Sequence, residues 1–266
     1  MDGEVHSLYT TALNEFARIP IFPYLQLCHM VLCAMKLRKE QEIMQITRTF
    51  PLASFVSFYF TTVSGTILAN FFTGNRIFQP LESSDKLLMA LLIWYLFFWG
   101  PADKVMSVAS WKPVKIIITS MKMMKTAKDV LIGSKLGYTA NPSSIIATVL
   151  PAVSKSCGGS MFGPIHRMLR GSSKIEDYKH ELLKPSLNLR IAVITSILYH
   201  YQFQRVIDVT KETILLGSAI IFVAFGILSV IMENSINPFA SIEKLIYNIL
   251  MIGSSQEDKE KRTKQD

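Results

Sequence analysis

Charge is scarce in this chain. Only 18% of its 266 residues are Asp, Glu, Lys or Arg, where a soluble domain carries about 25%. Half of the residues are apolar and the mean hydropathy is +0.30. These figures exclude a disordered chain and argue against a water-soluble globule. Acidic residues are scarcer than basic ones, so the net charge is +8. In a membrane protein such an excess reflects basic cytosolic loops or contact with anionic lipid, and no nucleic-acid partner is expected. Cysteine is rare as well. Cys28, Cys33 and Cys157 lie in apolar stretches without ligand spacing, and read as buried thiols. The start shows no signal peptide, because Glu4, Glu15 and Arg18 interrupt it. The first span is therefore expected to act as its own insertion signal. Asn141-Pro142-Ser143 fails as a glycosylation sequon.

Catalytic motifs are missing too. His6, His29, His166, His180 and His200 are scattered, without HExxH, and neither GxSxG nor a phosphate-cradling glycine loop occurs. No enzyme, catalytic cofactor or metal site is expected. His29 and His200 fall in mid-span, where packing or a hydrogen bond is the ordinary role. Asp103 either lines a pore or pairs with a basic loop residue.

Long apolar runs are what the chain has. A membrane helix needs about 20 mostly apolar residues, and seven stretches qualify. Ile19 to Met35 is entered through Pro20 and Pro23. Thr49 to Asn75 holds no charge at all. Leu87 to Ala102 is aromatic and is expected to continue past Asp103. Val114 to Gly133 is lysine-bearing. Leu136 to Ser154 runs on through CGGSMFG, Ile191 to Gln204 needs Leu187 and Leu189, and Thr213 to Met232 is clean. The fold class is thus an all-α polytopic membrane protein of seven transmembrane helices. Residues 1–253 form the membrane domain, and 254–266 a charged, disordered cytosolic tail.

The connecting segments orient these spans. Eighteen Lys and Arg fall on one side, in the loop KLRKEQEIMQITR, at 104–115, at 167–190 and beyond 244, against six on the other. By the positive-inside rule the N-terminus is lumenal and the C-terminus cytosolic. The first six spans form two triplets, about 10–110 and 112–210, with the seventh helix at about 212–232. An odd number of spans per triplet makes the second triplet inverted. Glycines interrupt the middle helix of each, Gly65 in one and Gly158, Gly159 and Gly163 in the other. Such glycines mark a pore or gating hinge, or else serve close helix packing.

The fourth span is the least expected. Lysine at the bilayer centre costs at least ~2.5–3.5 kcal/mol. Lys122, Lys125 and Lys128 step by three along one stripe. Lys115 can snorkel to the headgroups and Lys128 also has that option, but Lys122 lies ~15 Å in from Trp111. A stripe of ammonium groups facing a wet cavity can hold an anionic headgroup, gate ions, or move with voltage at ~2.3 kcal/mol per charge per 100 mV.

Five segments in order, IPIFPYLQLCHMVLCAMKLRKEQ, PLASFVSFYF, WYLFFWGPADKV, VKIIITSMKMMKTAKDVLIG and SCGGSMFGPIHRMLRG, together with a late MIGSS, resemble the TRIC family of trimeric intracellular cation channels, the B type in particular. The resemblance implies a homotrimer with one pore in each seven-helix protomer, in the endoplasmic or sarcoplasmic reticulum membrane. It implies passage of K⁺ and Na⁺ as counter-ions to Ca²⁺ release, with voltage-sensitive gating. It also implies phosphatidylinositol 4,5-bisphosphate beside the pore, as a structural or regulatory lipid, on a lysine and an arginine of a KEVxR-like motif. Lys122 matches the lysine. Thr126 stands where the arginine would be and Met123 replaces the glutamate, so Lys125 or Lys128 is expected to supply the missing charge. Two other functions fit seven spans. A secondary transporter shares the inverted triplets. A seven-helix receptor shares the N-out topology and is disfavoured by the lysines and by the absence of an extracellular disulfide.

Overall fold

The computed structural model describes Thr11, residues 13–169 and residues 186–232. The tail beyond 232, including 254–266, lies outside the described residues. Among the described residues nine α-helices follow one another: α1 (Gln26–Arg38), α2 (Gln41–Thr49), α3 (Pro51–Thr73), α4 (Ser84–Phe98), α5 (Ala102–Ser110), α6 (Lys112–Ala140), α7 (Ile145–Leu169), α8 (Leu187–Phe203) and α9 (Lys211–Ile231). A short helical stretch at 13–18 and a kinked segment at Ile21–Leu25, in which Phe22 is extended, precede them. No strand occurs among the described residues.

Local chemistry sets the helix limits. α3 starts with Pro51 in its first turn, where the missing N–H costs nothing. It stops at Gly74, whose φ of +69° lets the Asn75 N–H donate back to the Asn70 carbonyl at 3.0 Å. α6 also begins with a proline, Pro113, and runs 29 residues, about 43 Å. α8 begins on Ser186, whose hydroxyl accepts from the Leu189 N–H.

Two expectations need correction and a third is refined. Leu136 belongs to α6 and not to the next span, because the chain breaks at extended Asn141 and Pro142, and α7 starts at Ile145. The third span does continue past Asp103, as α5, but through a sharp bend. The helix stops at Phe98, and Gly100-Pro101 leaves α4 and α5 bent by 99°. Asp103 pairs with Arg38, which also donates to the Ala102 carbonyl, so the bend is tied to the end of α1. Part of the expected basic loop, Gln41–Thr49, is an amphipathic helix. Its Ile43 and Thr47 are buried, and Thr47 Oγ lies 2.7 Å from Ser54 Oγ, which accepts from Trp94 Nε1 at 3.0 Å.

Buried apolar residues fall into two clusters on either side of Trp111. One holds Met30, Phe58, Trp94 and Phe98 from α1 to α5, the other Val130, Ala152, Tyr199 and Phe222 from α6 to α9. By length and composition α3 and α9 can each cross a membrane alone, and α4 with α5 is a third candidate. Leu88, Leu92 and Tyr95 on α4 and Ile220 on α9 are each more than half exposed, a surface suited to acyl chains and not to water.

The middle helices α3 and α7 run through their glycines unbroken, which corrects the reading of those glycines as interruptions. Their work in this conformation is close approach. A methyl group on Gly158 would sit 2.1 Å from the Gly65 Cα, and one on Gly65 would sit 2.6 Å from the Lys155 carbonyl oxygen. Gly159 faces more open space, with its nearest neighbour at 3.6 Å. Gly163 lies further along α7.

Candidate functional site

Beside this crossing lies a cavity of about 560 Å³. Gln26 on α1, Thr62, Thr66 and Asn70 on α3, Lys86 on α4, Lys125 and Asp129 on α6 and Lys155 on α7 line it. Asn75, Gln79 and Pro80 from the α3–α4 connection add to the wall, and Ile21, Phe22, Val63, Ile132 and Leu136 supply its apolar part. Asn70 Nδ2 holds that connection by donating to the Arg76 carbonyl at 3.0 Å, and Tyr59 donates to the Pro80 carbonyl. A polar lining of this kind, reached by side chains from several apolar helices, is what a water-filled path through a membrane protein requires.

Charge in the cavity is organised around Asp129. Lys125, one turn earlier on α6, donates to its Oδ2 at 2.5 Å, and both side chains are almost fully buried. Lys155 Nζ donates to Thr66 Oγ at 3.2 Å, which bridges α7 to α3 next to the glycine crossing. Lys122 lies close to Lys125 and Asp129 but is not among the residues that line the cavity. Among the described residues it makes neither a hydrogen bond nor an ion pair. His29 Nε2 lies 3.2 Å from the Thr62 carbonyl and 3.8 Å from the Cys33 thiol, a hydrogen-bonded role of the expected kind. His200 is likewise bonded, its Nδ1 2.9 Å from Thr148 Oγ. None of the three cysteines is in a disulfide.

The lysine stripe does not act as one site. Three residues turn a helix by about 300°, so steps of three drift around the cylinder and Lys128 ends well away from Lys122. Lys128 is 5% exposed and donates to the carbonyls of Phe16, Ala17 and Ile19 at 3.0, 3.0 and 2.6 Å. It also stands 5.4 Å over the Phe16 ring. Its three donors cap the end of the 13–18 stretch, where carbonyls lack partners in the helix itself. Lys128→Met should therefore free that stretch while leaving the cavity intact, at a cost of about 2 kcal/mol. Faster hydrogen exchange at 13–20 with no change at 60–70 is the expected readout, and equal exchange in both variants would refute the cap.

Sequence reasoning missed Asp129 and gave Lys155 no role. The signal for Asp129 was present: an acid four residues after Lys125 on a helix is positioned to pair with it.

The TRIC channel family model matches residues 40–233. Type B trimeric intracellular cation channel of Danio rerio is 26% identical over 244 residues, 90% of this chain and 84% of the relative. Among solved structures, a trimeric intracellular cation channel from C. elegans with bound Ca²⁺ superposes with a TM-score of 0.76 at 25% identity, covering 85% of this chain and 98% of that one. A structure of TRIC counter-ion channels active in calcium release gives 0.77 at 18% identity, over 84% and 99% of the two chains, and so shares the fold. Together with an all-helical architecture around a buried polar cavity, these matches establish that the chain belongs to the TRIC channel family of intracellular cation channels and is not an enzyme.

Proposed function

We propose that this protein is a K⁺-permeable, voltage-sensitive channel of the endoplasmic or sarcoplasmic reticulum membrane, moving monovalent cations as counter-ions to Ca²⁺ release. The observation that carries the reading is the polar cavity with the Lys125–Asp129 pair at its wall. A carboxylate and several hydroxyl and carboxamide oxygens can replace part of a cation's hydration shell. With Lys125 on Asp129 that carboxylate is already satisfied, so the arrangement fits a resting state, and moving the ammonium away frees an anionic site for K⁺ or Na⁺. Lys122 and Lys125 are charges on one helix, and a field acting on α6 would bias such a movement.

Seven spans give each protomer its pore, with α4 and α5 as one bent span, the N-terminus lumenal and the C-terminus cytosolic. The halves 10–110 and 112–210 are inverted repeats, which is supported by the glycine-to-glycine meeting of their middle helices. Gly65, Gly158, Gly159 and Gly163 form the hinge where α3 and α7 rearrange on gating. Three protomers form the channel assembly, as the names of the relatives state for those proteins.

Phosphatidylinositol 4,5-bisphosphate binds beside the pore through Lys122, with Lys125 joining once it leaves Asp129. Among the described residues the Lys122 ammonium makes no hydrogen bond or ion pair, and a phosphate accepts charge-assisted hydrogen bonds from lysine. Lys128 has no free donor for this purpose. Lys122→Ala should weaken retention of the lipid by the purified protein about tenfold, one charge-assisted contact, and shift the voltage at which the channel opens. Unchanged retention would reject the role. In planar bilayers under asymmetric KCl the parent should give resolved unitary steps that reverse near the K⁺ potential. Transport without unitary steps would instead indicate a secondary transporter.

A further inference from the structure

A second cavity, of about 670 Å³, lies between the C-terminal half of α6, the end of α8 and the start of α9. Leu131, Ile132, Leu136 and Phe203 give it apolar walls, and Lys135, Arg205 and Lys211 are its charged residues. Among the described residues no carboxylate lines it. Ile132 and Leu136 also border the cavity around Asp129, but Lys135, Arg205 and Lys211 do not line that cavity, so the cations of the groove are its own.

Three observations give the groove its chemistry. Lys135 and Arg205 make no ion pair or side-chain hydrogen bond among the described residues, and Lys211 has only Glu212, at 3.8 Å. Gln202 also lines the groove, and its buried Oε1 has no partner among the described residues. Arg205 has a φ of +57°, the left-handed conformation that glycine adopts without strain. The turn around it is a complete helix-stop motif, with the Val206 N–H donating to Tyr201 and the Arg205 N–H to Gln202, both at 3.0 Å. Gly74 fills the corresponding place after α3. The backbone of α8 thus calls for glycine, and the chain instead places a guanidinium at the mouth of an apolar groove.

We propose that this groove holds an anionic phospholipid, its phosphate among Lys135, Arg205 and Lys211 and an acyl chain along Leu131, Ile132 and Leu136. Exposed Val206 and Val209 beside it suit the boundary between headgroups and hydrocarbon. On the topology proposed above these cations stand at the lumenal ends of α6 and α8, so the headgroup belongs to that leaflet. Basic residues between membrane helices attract anionic headgroups, and an acyl chain explains apolar walls that a soluble anion would not need. The inference rests on the chain lying in a membrane, and not on conduction or on the Lys122 site.

Native mass spectrometry of the purified full-length protein, with phosphatidylserine or phosphatidylcholine added, tests it. The parent should retain phosphatidylserine preferentially. Each cation removed should weaken retention about fivefold, so Lys135→Gln/Arg205→Gly/Lys211→Gln should lose the preference. Arg205→Gly alone keeps the test meaningful. It should melt at the same or a higher temperature, because glycine relieves the strain, and still bind phosphatidylserine about fivefold less well. Lys112→Gln, an exposed lysine at the start of α6 outside both lipid sites, should leave the preference unchanged, which separates loss of this groove from a general loss of positive charge. Equal retention of both lipids, an unaltered preference in Arg205→Gly and the triple variant, or displacement by millimolar inorganic phosphate would each overturn the proposal, the last assigning the groove to a soluble anion.

Discussion

Gly158→Ala is expected to destabilise the protein by about 3 kcal/mol, at the upper end of what overpacking costs, while Gly159→Ala on the same helix is expected to be close to neutral. The contrast follows from what each added methyl would meet. At position 158 it would lie 2.1 Å from the Gly65 Cα and 2.5 Å from the Gly65 nitrogen, both backbone atoms of a continuous helix. No side chain can rotate aside, so α3 and α7 must move apart by more than an ångström. That movement would also disturb the Lys155–Thr66 hydrogen bond and the cavity wall next to it. At position 159 the nearest atom is the Thr61 carbonyl oxygen at 3.6 Å, an ordinary contact. Alanine is the better helix former by up to ~1 kcal/mol, which offsets any small strain there. Thermal unfolding of the two variants in detergent, followed by tryptophan fluorescence, reads the difference. Equal melting temperatures would show that the helices do not meet at this point. If Gly159 is a gating hinge, Gly159→Ala should change voltage dependence without changing stability, which sets hinge and packing roles on different measurements.

Hydropathy located the helices from elementary physics. The uncharged stretch from Thr49 to Asn75 became α3, Thr213 to Met232 became α9, and the short stretch at 191–204 was helped by Leu187 and Leu189 as α8. Hydropathy reports which residues avoid water and says little about where one apolar helix passes into the next. The boundary after α6 was set by Asn141-Pro142, a polar break shorter than any hydropathy window. Hydropathy instead ended the fourth span at Gly133 and left Gly137 to the fifth, although both glycines belong to α6. They are helical because they lie against Ala152 and Ala147 of α7, a tertiary reason invisible in the local pattern. The bend after Phe98 was signalled by Gly100-Pro101 and overruled by the apolar run around it. The site was legible in part. Lysines in a membrane helix announced a polar interior, but their division of labour depended on partners distant in sequence. Lys128 meets carbonyls more than a hundred residues away. Asp129 was in plain view four residues from Lys125, and counting only the excess positive charge hid it.

Asp129→Asn should separate the two roles of that carboxylate, in stability and in conduction. The substitution keeps the shape of the side chain and removes its charge, leaving the buried Lys125 ammonium without a counter-charge. Breaking a buried pair from one side typically costs 3–5 kcal/mol. The cavity admits water, so the expected loss is at the low end, about 3 kcal/mol. Lys125→Met with Asp129→Leu removes both charges and should recover most of that stability, because an apolar pair needs no desolvation of ions. A double-mutant cycle over the two positions then gives the coupling between them, provided each single variant makes no new contact. Conduction should follow a different order. Lys125→Met exposes the Asp129 carboxylate to permeant ions and should raise open probability or cation selectivity, whereas Asp129→Asn and the apolar double should lower K⁺ current. The divergence between the two series is the informative result, since a merely structural pair would make current follow stability in all three variants. K⁺ current and selectivity equal to the parent's in Asp129→Asn would remove the carboxylate from the ion path and leave the Lys125–Asp129 pair as a helix staple alone.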